Sequence, residues 1–272
     1  MDEKTRSALA ELNRTFYARF ADDFARTRRT WPPGFDRILP HLRPAANVLD
    51  IGCGNGRLLA FLVERGWAGR YVGVDNSAAL LAIAQEDAGR GWTQTITDEE
   101  RSESHPRSSA FIRVQPEVHF VEADLLQLDS LPSARQLGAA WRFPAAFDAI
   151  ACLTVLHHVP GAEYRARLMA EYRRLLAPGG VLIVSTWQFL AAPRLRARIL
   201  PWSAAGLRDA DVEPEDYLIA WGAGMAGQRY CASIGADALC GLAGRAGLMT
   251  VETFYADGHE GNLNLYGVFS AT

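Results

Sequence analysis

One segment constrains this chain more than any other. Val48-Leu49-Asp50-Ile51 is a short apolar run, and it breaks into Gly52-Cys53-Gly54-Asn55-Gly56-Arg57. Leu58, Leu59, Phe61, Leu62 and Val63 then recur at helical spacing, so the segment predicts a buried strand, a glycine loop and a helix in succession. Glycine lets a backbone approach a ligand where a side chain would collide. In an open α/β sheet such a loop sits at the carboxyl edge of its strand, the edge at which nucleotides bind.

The spacing narrows the ligand. The loop reads G-x-G-x-G, whereas the dinucleotide fingerprint is G-x-G-x-x-G and the phosphate-cradling P-loop ends in Gly-Lys-Ser/Thr. A second strand, Arg70-Tyr71-Val72-Gly73-Val74-Asp75, ends in a carboxylate about 20 residues past the glycines, the spacing of an acid that accepts ribose hydroxyls. Taken alone, Asp75 also suits a helix N-cap, because Asn76 and Ser77 precede an apolar helical run. A third strand, Val118 to Asp124, again ends in an acid, and a carboxylate there can accept an adenine amino hydrogen. Three strand ends therefore predict one adenosine-shaped site without a pyrophosphate.

The chain has 272 residues, 49% of them hydrophobic, enough for one sizeable α/β core with a small appended unit. No apolar run reaches the roughly 18 residues that a membrane helix needs, and Met1-Asp2-Glu3-Lys4 starts no signal peptide, so a cytoplasmic protein without membrane association is expected. Cys53, Cys152, Cys231 and Cys240 are too scattered for a zinc knuckle; reduced thiols and no metal are expected. A net charge of -3 does not mark a nucleic-acid binder, although local basic patches could still contact phosphates.

Strand–helix alternation continues with Phe147 to Leu153, a helix near Ala162 to Leu176 and a strand from Val181 to Thr186, which right-handed crossovers assemble into a doubly wound sheet. The last helix is expected near Ala236 to Arg245. Met249 to Tyr255 and Leu263 to Phe269 then read as a terminal β-hairpin. Residues 1–46 are read as an N-terminal helical cap, in which Leu9, Leu12, Phe16, Phe20 and Phe24 predict one amphipathic helix from Ser7 to Phe24 across the site. Residues 47–272 form the main domain, with a polar insertion at 93–116 and a lid or substrate insertion at 188–227.

The glycine loop from Asp50 to Gly56, Asp75, Asp124 and the Pro178-Gly179-Gly180 turn before the fifth strand together resemble the class I S-adenosylmethionine-dependent methyltransferases. The likeness implies a Rossmann-like α/β fold with a seven-stranded, mostly parallel sheet and an antiparallel strand from the C-terminal hairpin. It also implies S-adenosylmethionine as cofactor, contacted by Asp50, Gly52, Gly54, Asn55, Gly56, Asp75, Asn76, Asp124, Leu125, Leu153 and Tyr17.

On the acceptor side, His157 and His158 follow the fourth strand directly. A histidine there can bind an anion or remove a proton, or simply cap and pack. Arg28 and Arg229 offer planar guanidinium forks suited to carboxylate or phosphate, though most arginines only solvate a surface. The run Phe24 to Pro32, the glycine loop, Leu156-His157-His158, Val184 to Trp187 and Arg229-Tyr230 are similar to the eukaryotic tRNA wobble-uridine carboxymethyl methyltransferase family. That family esterifies the carboxylate of 5-carboxymethyluridine. The resemblance implies that Arg28, His157 or His158, Arg229 and Tyr230 surround the modified base, with tRNA and a small activator subunit as partners.

Three readings stand at this point. The chain methylates a tRNA nucleoside, or it is an O- or N-methyltransferase for a small metabolite, or it binds the cofactor silently and stabilises a partner. The alternation of arginine with apolar residues from Pro193 to Trp202 serves RNA contact, a lid or an ordinary solvated helix equally.

Overall fold

A computed structural model describes residues 1–27, 30–44, 46–89, 116–124, 146–222 and 226–271. The main sheet contains β1 (Asn47–Ile51), β2 (Arg70–Asp75), β3 (Glu117–Glu122), β4 (Phe147–Leu153), β5 (Leu176–Trp187), β9 (Leu248–Ala256) and β10 (Asn264–Ala271). Their order is β3-β2-β1-β4-β5-β10-β9. β1 pairs in parallel with both β2 and β4, while β10 runs antiparallel to β5 and to β9. The expected seven-stranded, doubly wound sheet with its antiparallel C-terminal strand is therefore present. The strand order reverses at β1, and the crevice outside that point is where open sheets bind ligands.

Strand alternation divides the core between two helix layers. Leu49 and Ile51 face a cluster that includes Leu9 of α1 (Glu3–Arg19), Leu168 and Met169 of α6 (Ala162–Leu175) and Leu239 of α8 (Ala236–Arg245). Val48 faces the opposite cluster, built with Phe35 of α3 (Pro33–Ile38) and Leu59 and Phe61 of α4 (Arg57–Glu64). Cys152 is fully buried on β4, where its thiol packs as a small apolar group. Among the described residues no helix is long and apolar enough to cross a membrane.

The structure corrects two details. The predicted N-terminal helix is two: α1 ends at Arg19 and α2 runs over Ala21–Arg26. Phe20 breaks the helix and sets its ring 4.8 Å from Trp221, a burial of aromatic surface that offsets the interrupted turn. β5 is longer at both ends than Val181 to Thr186, because Leu176 also pairs with Phe147 across an irregular register. In the insertion read at 188–227, after the short helix α7 (Pro193–Arg196), β6 (Ile199–Leu200) and β7 (Asp216–Trp221) join β8 (Gly227–Ala232) in a three-stranded antiparallel sheet. Of the polar insertion at 93–116, residues 93–115 lie outside the described residues.

Candidate active site

A cleft open to solvent lies at the carboxyl edge of the sheet beneath the N-terminal helices, the place where open α/β sheets bind their ligands. Asp75 is its buried acid. Its Oδ2 accepts the Gly54 N–H at 2.8 Å and its Oδ1 accepts the Ser77 N–H at 2.9 Å, so it ties the loop to the start of α5 (Ala78–Gly89). The carboxylate still has lone-pair capacity to accept a hydroxyl hydrogen. Burial raises the Asp75 pKa above the ordinary carboxylate value, and the backbone N–H donors of Ser77, Gly54 and Asn76 oppose that rise.

The glycine loop explains its own composition. Gly52 has φ +71°, and a Cβ there would lie 2.3 Å from Cγ2 of Val155. Gly54 has φ +54°, and a Cβ there would meet nothing within 4 Å, because it faces the cavity. Asp124 lines the cavity opposite, its Oδ2 taking a hydrogen from Arg14 Nη2 at 3.3 Å. Tyr17, Asn76 and Leu153 complete the predicted residues on this wall.

Three predicted contacts do not line the cavity. Asp50 lies on the strand face turned towards Tyr71, whose hydroxyl donates to its Oδ2 at 2.5 Å. Burial, with Asp75 nearby, pushes the Asp50 carboxyl up to about 7, against the opposing effect of the Tyr71 hydrogen bond. Gly56 packs the loop against Ala84 of α5 instead, and Asn55 sits between the glycines without reaching the cavity wall. Leu125 and Arg28 lie outside the described residues.

The two histidines separate cleanly. His157 is buried, its Nδ1 accepting the Trp187 N–H at 3.3 Å. Burial first, then the neighbouring His158 and Arg229 charges, push its pKa well below the usual imidazole value, so it is a neutral packing residue. His158 lines the cavity. Its Nδ1 lies 3.0 Å from the Tyr230 carbonyl and its Nε2 lies 2.8 Å from the Tyr17 hydroxyl. A carbonyl only accepts, so Nδ1 carries the hydrogen; in the neutral ring Nε2 then accepts from Tyr17.

Arg229 and Tyr230 are adjacent on β8 and point to opposite faces. Tyr230 points into the core, where its hydroxyl donates to Asp216 at 2.5 Å and accepts from Arg165 at 3.1 Å. Its side chain does not reach the acceptor region; only its backbone does. Arg229 stands behind Tyr17, donating to that hydroxyl at 3.4 Å, with its guanidinium 4.6 Å from the Trp187 ring and 5.3 Å from that of Phe16. It is 6% exposed, its Nε has no hydrogen-bond partner, and among the described residues it forms no ion pair with a carboxylate.

Ala10, Asn13, Phe24, Leu80, Thr154, Val155 and Val159 also line the cavity; of these, sequence reasoning placed only Phe24 by name, on the helix across the site. Thr154 carries a positive φ of 57° at the end of β4, its N–H held by Ser185. Asn13 did leave a signal: it is a polar residue four positions after Leu9 and four before Tyr17, on the buried face of α1.

Comparison with known proteins agrees with this geometry. A family model described as a methyltransferase domain matches residues 23–253. Trans-aconitate 2-methyltransferase of Azoarcus sp. (strain BH72) is 30% identical over 197 residues, covering 71% of this chain and 59% of that protein. The tRNA (carboxymethyluridine(34)-5-O)-methyltransferase of Macaca fascicularis is 27% identical over 186 residues, 68% of this chain and 21% of that protein. The chain thus spans less than two thirds of either relative. In fold it is similar to magnesium protoporphyrin IX methyltransferase of Synechocystis PCC 6803, solved with bound SAH, at TM-score 0.59 and 17% identity, covering 97% of this chain and 99% of that one. A glycine loop tied to a strand-end acid, a second acid across the cavity and a matching family model over most of the sequence lead to one conclusion: the chain belongs to the methyltransferase-domain family.

Proposed function

We propose that this chain is an S-adenosylmethionine-dependent methyltransferase that esterifies a carboxylate, and that the carboxylate belongs to a carboxymethyl-type nucleoside of tRNA. In this reading Asp75 accepts the ribose hydroxyls, Asp124 accepts the adenine amino group and the backbone at Gly54 passes beneath the nucleoside. The bound cofactor supplies an electrophilic methyl on a sulfonium, and the protein has to hold an oxygen in line with it and exclude water.

Arg229 carries the reading. A buried charge without a counter-ion costs several kcal/mol, and cation–π contacts such as those with Trp187 and Phe16 contribute only about 0.5–2 kcal/mol. An anionic acceptor would supply the missing charge. A carboxylate is also already nucleophilic near neutral pH and needs no base, which suits a histidine whose Nε2 is engaged by Tyr17.

Two observations support RNA as the carrier. Arg194, Arg196 and Arg198 are exposed and form no ion pair among the described residues, while Leu195 between them packs in the same small apolar cluster as Trp187. The macaque relative's name also specifies a carboxymethyluridine of tRNA. A free organic acid is the second reading, favoured by the trans-aconitate relatives, which match at 30% and 31% identity.

The test is transfer of labelled methyl from S-adenosylmethionine into total tRNA and, separately, into a panel of organic acids, followed by mild alkali. A methyl ester releases the label as methanol. Label in tRNA that alkali removes is the expected result; label that survives alkali, as an ether or N-methyl group would, overturns the carboxylate reading.

A further inference from the structure

We infer that Asn13, on α1, is a positioning residue that fixes the ring orientation and tautomer of His158 by clamping the buried free edge of β8. The small sheet has the order β6-β7-β8, so among the described residues β8 is an edge strand with backbone groups that no further strand pairs. Asn13 occupies that edge. Its Oδ1 accepts the Tyr230 N–H at 2.8 Å, and its Nδ2 donates to the Tyr230 carbonyl at 3.2 Å and to the His158 carbonyl at 3.0 Å.

The orientation of the amide is not arbitrary. An N–H needs the amide oxygen and two carbonyls need the amide hydrogens, so only one of the two amide flips satisfies all three bonds. The side chain thus imitates the peptide unit of a missing strand, and it ties β8 to the turn that holds His158. The Tyr230 carbonyl has a second lone pair, and this accepts His158 Nδ1–H at 3.0 Å. With Tyr230 anchored at its other end by Asp216 and Arg165, the carbonyl is a fixed acceptor. His158 is therefore held with hydrogen on Nδ1 and with Nε2 turned to Tyr17 in the cavity wall. Tyr17 lies one helical turn after Asn13 on the same α1 face, so one helix delivers both the clamp and the phenol that the histidine meets.

The inference rests on Tyr17 and His158 belonging to the methyl-transfer crevice, but it does not depend on which acceptor is used. Its test is nitrogen NMR of the full-length protein with labelled histidine, His158 being identified by its loss in His158→Gln. The wild type should show Nδ1 protonated and Nε2 bare. Asn13→Leu, which removes all three bonds, should show mixed tautomers and slow methyl transfer roughly tenfold to a hundredfold, the scale of a misplaced reacting group. Asn13→Asp keeps the bond from the Tyr230 N–H and loses both donors; it should shift the tautomer as well, and it serves if the leucine variant does not fold. A wild-type His158 protonated on Nε2 overturns the inference, as do folded Asn13 variants that keep the wild-type tautomer and rate. Failure to find alkali-labile methyl would overturn the functional reading alone, since the ring nitrogens are read without any acceptor.

Discussion

Asp50 and Asp75 lie close to the same sheet edge and end in different environments. Both are buried, but Asp75 meets backbone N–H donors and the cavity, whereas Asp50 meets one phenol. For Asp75 the spacing from the glycines was informative, because ribose-accepting acids sit a fixed distance along the βαβ unit. For Asp50 the glycine motif alone did not decide: its parity with Val48 places it on the α3–α4 side, and parity becomes meaningful only once the layers are known. Asp75→Asn should weaken SAH binding by roughly tenfold to a hundredfold in calorimetry, the scale of losing charge-assisted hydrogen bonds; unchanged affinity would remove Asp75 from the ribose role. Asp50 predicts a pH effect. Its carboxyl sits at about 7 in the folded protein against an ordinary 3.8, so the folded state binds the proton more tightly. Its contribution to stability is most favourable below about pH 4 and declines as pH rises to about 7, by on the order of 4 kcal/mol in all. Asp50→Asn, which keeps an acceptor for Tyr71, should therefore melt higher than the wild type at pH 8, with the advantage shrinking towards pH 5. An advantage independent of pH would contradict the assignment.

The elements most legible in the sequence were those with a strong local rule. The glycine loop, the last helix from Ala236 to Arg245 and the terminal hairpin all follow from periodicity and turn residues. The break at Phe20 and the three-stranded sheet after β5 were not legible. Both depend on contacts distant in sequence: Phe20 on Trp221, and β8 on α1 through Asn13. The same limit applied to Arg229 and Tyr230, whose alternation was visible but whose inward face was set by a sheet the sequence did not announce. Within the loop, two substitutions separate folding from binding. Gly52→Ala combines a left-handed conformation, costing about 1–2 kcal/mol, with collision against Val155, and should lower the melting temperature. Gly54→Ala carries only the conformational cost, but its methyl group projects into the cavity, so it should fold and bind SAH poorly. Melting scans and SAH titrations of the pair distinguish the effects; the reverse pattern would mean that the loop faces the other way.

At the scale of the molecule, the sheet order follows from strand–helix alternation and crossover handedness, which is why the fold class could be read before any coordinates. The acceptor is a different matter, because its determinants come from α1, the turn after β4 and the small sheet, brought together only by folding. If RNA is the carrier, replacing Arg194, Arg196 and Arg198 together with alanine should weaken tRNA retention and flatten its log–log salt dependence by roughly 2 to 3, about one for each lost phosphate contact. An unchanged slope would place the RNA elsewhere. Under the proposed function, a nucleoside half of the crevice at Asp75 and Asp124 is separable from an anion half at Arg229, which stands behind Tyr17 and outside the cavity lining. The most direct test is Arg229→Met, measured for SAH affinity by calorimetry and for methyl transfer at subsaturating acceptor. Unchanged SAH affinity with transfer reduced by roughly tenfold to a hundredfold, the cost of losing a charged hydrogen-bond donor, is the predicted result; a normal transfer rate, or loss of cofactor binding itself, would contradict it.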